Sequence, residues 1–185
     1  MHPQLTALNG QLDEASIRAR NLVSSMLADD MRLRPDLNGW SVAECIEHLS
    51  MSSEAFINAI SDASNRARER GVFGTGPYEL NLVGRFLNWR MRPPVIIKAR
   101  TPDKFQPDLI EPLEELLPRF LSWQERLKTE TANADGLDLN RVIVQSPFSK
   151  HVRYSLFSCL VLIVTHEHRH LWQAENTRKA IVRVW

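Results

Sequence analysis

Apolar residues along this chain recur every three or four positions and almost nowhere every second one. Leu5, Leu8, Leu12, Ala15, Ala19, Leu22, Val23 and Met26 form one such stripe, which predicts a first amphipathic helix. The run "MRLRPDLNGW" then supplies a proline and an Asn-Gly pair, both helix stops. At "GWSVAECIEHLS" a second helix starts: Ser41 is a good N-cap, and Glu44 three residues on completes a capping box. Trp40, just before the cap, is placed to pack against Cys45. Val42, Cys45, Ile46, Leu49, Phe56 and Ile60 give this helix its apolar face, and the polar run "SNRARERG" closes it.

Beyond the loop "GVFGTGPYEL" the spacing predicts a short helical piece from about Leu80 to Met91. The stretch from Pro93 to Pro112 holds five prolines and reads as a long extended crossover. A third long helix is expected from about Leu109 to Thr131, carried by Leu113, Leu116, Leu117, Phe120, Leu121, Trp123 and Leu127. "RVIVQSPF" reads as a brief strand or extended segment. The fourth long helix is expected from near Tyr154 to about Ala180, its first half apolar almost all round and therefore buried. Four long helices and one long connection between the second and third predict an all-α four-helix bundle, read as one domain over 1–185.

Composition narrows the function classes. The net charge is +1, so no global field draws the chain to nucleic acid or an anionic membrane. The two cysteines, Cys45 and Cys159, lie in apolar helical contexts without metal-type spacing; with no disulfide framework, a cytoplasmic location is the simplest expectation. The N-terminus meets acidic residues before any apolar run, so no signal peptide is expected. The most apolar stretch, "YSLFSCLVLIVTHEH", is too short to span a bilayer. One local feature departs from this balance: "RFLNWRMRPPVIIKAR", from Arg85 to Arg100, has five cations, no acid and two aromatics. It suits a non-catalytic helical binding protein whose partner docks there, a basic rim for an anionic thiol, or a solvated loop.

The chemistry concentrates in "THEHRHLWQAE". Helical steps of about 100° leave His166 and His170 only about 40° apart, one turn separated, while His168 projects from nearly the opposite side. Two imidazoles so placed can share a metal ion, and a bundle supplies a third ligand from a facing helix. His48, on the second helix, is the candidate. Three neutral imidazoles with an open position suit Zn²⁺ or Ni²⁺ first, with Fe²⁺ or Mn²⁺ as further options. A bound ion would activate a thiol or water for attack on a small electrophile.

The string His166-Glu167-x-x-His170 also satisfies H-E-x-x-H, the zinc-peptidase signature with Glu167 as general base. No histidine follows His170, so this reading needs His48 as third ligand and departs from that class. Glu167 is instead expected to face solvent or support the ligands from behind. Glu44 and Gln173 are candidates for the same supporting role, although the capping box already explains Glu44. Cys159, two turns before His166, is read as an inert buried thiol rather than a reactive one.

"GWSVAECIEHLS" resembles the Trp-Ser-x-x-Glu-x-x-x-His-Leu signature of the DinB-like superfamily, and "HEHRHLWQAE" is similar to that family's closing His-x-x-x-His-x-x-Gln motif. The resemblance runs from about Leu5 to Lys179. It implies an up-down-down-up four-helix bundle with a divalent metal held by three histidines, matching His48, His166 and His170. It further implies kinship with thiol-dependent S-transferases and isomerases using bacillithiol, mycothiol or glutathione, and with metal-dependent hydrolases. A low-molecular-weight thiol cosubstrate, a small-molecule substrate and a homodimer are expectations of the same origin.

Overall fold

The computed structural model describes residues 1–37, 39–94, 100–107 and 112–182. Five α-helices dominate: α1 (Pro3–Ser24), α2 (Val42–Glu69), α3 (Leu82–Met91), α4 (Leu113–Asn133) and α5 (Leu156–Val182). A small antiparallel pair, β1 (Ile143–Gln145) and β2 (Arg153–Ser155), joins α4 to α5, with Val144 opposite Tyr154. The chain is mostly helical and all-α fits it.

Local chemistry sets the helix ends. Pro3 opens α1, where its missing N–H costs nothing, and His2 Nδ1 accepts from the Gln4 amide at 3.2 Å. At α2 both halves of the capping box form: Ser41 Oγ accepts from the Glu44 amide at 3.1 Å, and Glu44 Oε2 from the Ser41 amide at 2.7 Å. Gly71, at φ +65°, ends that helix in the left-handed turn glycine adopts without strain, and the Val72 amide returns to the Ala67 carbonyl. Asn81 caps α3 through the Gly84 amide at 2.8 Å.

The four long helices pack as α2 on α4 and α5, and α1 on α4 and α5. The stripe of α1 is buried at Leu5, Leu8, Leu12, Ala15, Ala19 and Leu22, while Val23 and Met26 are only partly covered. Trp40 packs against a small apolar cluster of Leu22, Val42, Cys45 and Ala174. The short α3 lies on α5, joined where Thr165 Oγ1 donates to Asn88 Oδ1 at 2.7 Å. Among the described residues no helix is long and apolar enough to cross a membrane.

Two expectations change. The last helix starts at Leu156, because Tyr154 and Ser155 pair with β1 and belong to a second strand. The expected start of the third long helix near Leu109 lies outside the described residues; α4 is described from Leu113, with Pro112 at its N-cap.

Candidate metal centre

Three histidines from two helices meet between α2 and α5. His48, His166 and His170 are all buried, at 2%, 6% and 7% exposure, and one nitrogen of each lies within 4.8 Å of the others. His48 Nε2 lies 3.2 Å from His166 Nε2. The i, i+4 spacing stacks His166 and His170 on one face of α5, and the packing of α2 on α5 brings His48 opposite.

Backbone and side-chain acceptors orient the rings. His48 Nδ1 lies 2.8 Å from the Phe105 carbonyl, which can only accept, so Nδ1 carries the proton and Nε2 presents its lone pair to the cluster. His170 Nδ1 is 3.1 Å from Gln173 Oε1, which sets the same tautomer there. Ser52 Oγ also approaches His48 Nε2, at 3.4 Å. His166 Nδ1 is buried with no partner. Trp40 lies against two of the rings, with centroids 4.9 Å from His48 and 5.7 Å from His170. Phe148 stands 5.3 Å from His166 and 4.5 Å from Phe105, closing the apolar side.

Burial keeps all three imidazoles neutral. It pushes His48 down to about 4, with the Phe105 carbonyl opposing and the Arg169 charge assisting. His166 and His170 are held well below the usual histidine range, by burial first and then by the neighbouring rings and Arg169. Neutral imidazoles are the form that binds a cation.

This donor set fits a divalent ion. Zinc–nitrogen bonds of about 2.0–2.1 Å in a tetrahedron put ligand nitrogens roughly 3.3 Å apart, close to the His48–His166 separation. Without an ion, that contact needs a proton on His166 Nε2, and this leaves His166 Nδ1 as a bare acceptor in a wall that offers no donor.

The remaining candidates fall in different places. Gln173 touches His170 directly. Glu44 spends its carboxylate on the Ser41 amide and on an ion pair with Arg34. Glu167 does not face solvent: it is fully buried, its Oε1 accepts from Gln124 at 2.7 Å and Ser53 at 3.5 Å, and burial raises its pKa to about 8. A 100° step past His166 carries it towards α4, the element that supplies Gln124. His168 points elsewhere, to Arg18 at 2.8 Å. Cys159 is fully buried against Tyr154 and its thiol is pushed well up. Trp40 stands out in the sequence as a helix-start residue and as the first position of the Trp-Ser-x-x-Glu-x-x-x-His-Leu signature, not as a ring against the histidines, and Phe105 and Phe148 carry no sequence signal because their roles depend on tertiary contact.

A family model described as the DinB superfamily matches residues 11–174, a span that includes all three histidines and Gln173. No curated protein and no solved structure matches the chain. With most of its length covered by that family model, the chain belongs to the DinB superfamily.

Proposed function

We propose that the chain is a divalent-metal protein of the up-down-down-up DinB-like bundle type, with His48, His166 and His170 as its three protein ligands. Its activity would be that of a thiol S-transferase or hydrolase acting on a small electrophile in the cytoplasm, and the working form would be a homodimer. The observation that carries this reading is the cluster of three neutral, buried imidazoles with nitrogens within 4.8 Å. A bound ion there supplies Lewis acidity that makes a thiol or water nucleophilic near neutral pH. The chain's own residues prepare the site. Phe105 and Gln173 fix the tautomers of His48 and His170. Trp40, Phe105 and Phe148 keep water from the rings on the apolar side. Glu167 is occupied with Gln124 and Ser53, which counts against a peptidase in which it would act as base.

Elemental analysis of the purified protein tests the reading. One equivalent of Zn²⁺ or Ni²⁺ is expected, disappearing in His48→Ala and His170→Ala; absence of metal, with no rise in melting temperature on adding either ion, would sink it.

A second reading rests on α3. Leu82, Phe86 and Trp89 stand 80%, 55% and 68% exposed along one outward stripe, flanked by Arg85, Arg90 and Arg92. A non-catalytic binding protein would present such a surface to an anionic partner. Salt-sensitive retention of oligonucleotides, lost when Arg85 and Arg92 are both changed to Gln, would favour it; residues 95–99 of the basic segment lie outside the described residues.

A further inference from the structure

α3 turns an apolar side away from the protein. Steps of about 100° per residue put Leu82, Phe86 and Trp89 within a sector of about 60°, with Val83 beside them, Arg85 on one flank and Arg90 on the other. All four apolar residues are exposed, and the Phe86 and Trp89 rings lie together, with centroids 6.2 Å apart. Gly84 and Asn88 form the opposite, buried side. Thr165 of α5 donates to Asn88 Oδ1, and Ser158 of α5 fills the space where a Cβ on Gly84 would stand. Leu87 and Met91 reach the core from the same side. A helix that only completed the core would turn its phenylalanine and tryptophan inwards as well.

The charge around this stripe has one sign. From Arg85 to Arg100 the sequence has five cations and no acid. Arg100 is paired with Asp103, but among the described residues no carboxylate pairs with Arg85, Arg90 or Arg92. The whole chain carries a net charge of only +1, so an anionic partner is drawn to this face and not to the protein at large. A second copy of the chain, docked here about a two-fold axis, would set arginines against arginines. Single-stranded nucleic acid can stack on Phe86 and Trp89, yet it leaves the aliphatic Leu82 and Val83 in water. A bilayer surface matches both halves of the pattern. A convex helix about 15 Å long, lying in its plane, buries Leu, Phe and Trp at the acyl boundary and holds its cations at the phosphate level.

We infer that α3 is a membrane-surface anchor: Leu82, Val83, Phe86 and Trp89 enter the outer acyl region of an anionic lipid bilayer while Arg85, Arg90 and Arg92 pair with lipid phosphates. The protein lies on the membrane and does not cross it. This rests on the anionic-partner reading of α3 given above and is independent of the metal centre. The contacts of Gly84 and Asn88 with α5 hold the stripe outwards before any lipid is met, so docking needs no refolding.

The test is cosedimentation of the full chain with vesicles of phosphatidylcholine alone and of phosphatidylcholine and phosphatidylglycerol in equal parts. Wild type should bind the anionic vesicles at least tenfold more tightly than the neutral ones. Arg85→Gln with Arg92→Gln, and separately Phe86→Ser with Trp89→Ser, should each weaken that binding at least fivefold with melting curves unchanged, since all four side chains are exposed. In anionic vesicles brominated in the acyl chains, wild-type tryptophan fluorescence should be quenched; Trp89→Phe should still bind but lose most of the quenching. Binding that ignores the Phe86 and Trp89 changes, with no quenching in wild type, is mere charge adhesion and overturns the inference. Retention of a single-stranded oligonucleotide without vesicle binding overturns it too and leaves the anionic-partner reading standing. Binding to neither overturns both.

Discussion

Replacing His166 by Leu separates a ligand from a structural core histidine, because the two roles predict opposite costs without metal. In chelator His166 makes one hydrogen bond, Nε2 to His48 Nε2, and leaves Nδ1 buried and unpartnered. Leucine removes that orphan, worth about 1–3 kcal/mol, and gives up one neutral hydrogen bond worth about 0.5–1.5 kcal/mol. It also places an aliphatic side chain beside Phe148 and Phe56, and His48 Nε2 keeps Ser52 as a donor. The net effect in chelator therefore lies between about 0.5 kcal/mol destabilising and about 2.5 kcal/mol stabilising, centred near 1 kcal/mol stabilising. With Zn²⁺ at about one hundred times its Kd, wild type gains about 2.7 kcal/mol, which the variant forfeits. For a domain of this size that gain is a rise in Tm of about 5–11 °C. Paired thermal melts of wild type and His166→Leu, in EDTA and in excess Zn²⁺, should thus cross: the variant is about as stable or more stable in EDTA and clearly less stable in zinc. A variant destabilised by more than about 2 kcal/mol in EDTA would mean that His166 is a satisfied core residue. An equal zinc-linked rise in both proteins would remove it from the ligand set.

The other expectations concern the surroundings of the site and the helices that hold it. Glu167→Gln should keep the fold and the zinc-linked rise in Tm, whereas Glu167→Leu, which leaves Gln124 unpaired, should cost about 1–3 kcal/mol in urea melts; equal stability of the two would show that the Gln124 bond contributes nothing. Gly84→Ala should loosen α3 from α5 at a cost of about 1–3 kcal/mol, since the new Cβ would run into the Ser158 side chain, whose hydroxyl is tied to Asn81 and Ser155; Ser158→Gly in the same background should recover part of the loss, and a neutral Gly84→Ala would count against this packing. Cys45 and Cys159, both fully buried with thiols pushed well up, should be inert to DTNB in the native protein and react in guanidinium chloride; fast native labelling of either would contradict its burial.

Helices were legible wherever a local rule fixes them. Ser41 and Glu44 announce the start of α2 because a capping box is a contact between residues three apart, and the α1 stripe reads directly as its buried face. The histidine pair on α5 was legible for the same reason, and His48 because few other helical histidines competed. What escaped depends on distant contacts. The acceptor for His48 Nδ1 is a backbone carbonyl 57 residues away in a crossover without periodicity, and any residue type offers a carbonyl. β2 escaped because three residues leading into a helix show no usable alternation, and its partner β1 sets it. Glu167 reads as a surface charge because carboxylates seldom go fully inside; only the position of Gln124 on α4 explains the exception.

The placement of acids around His48 bears on which ions and ligands this centre can take. Glu44 stands one turn before His48 and so had the register to reach the cluster, whereas Glu47, one position before His48, is turned about 100° away from it. Glu44 is instead turned to the Ser41 amide and Arg34, and Glu47 to Arg119. The capping box therefore does two things: it starts α2, and it aims an acid away from the imidazoles. A carboxylate directed inwards would have favoured harder, oxygen-preferring ions and cancelled part of the charge of a bound cation. Three neutral nitrogen donors leave that charge undiminished and suit borderline ions such as Zn²⁺ and Ni²⁺. Ion-competition experiments should accordingly rank Zn²⁺ and Ni²⁺ well above Mg²⁺ and Ca²⁺, and comparable affinity for Mg²⁺ would mean that oxygen ligands, not the three histidines, hold the ion.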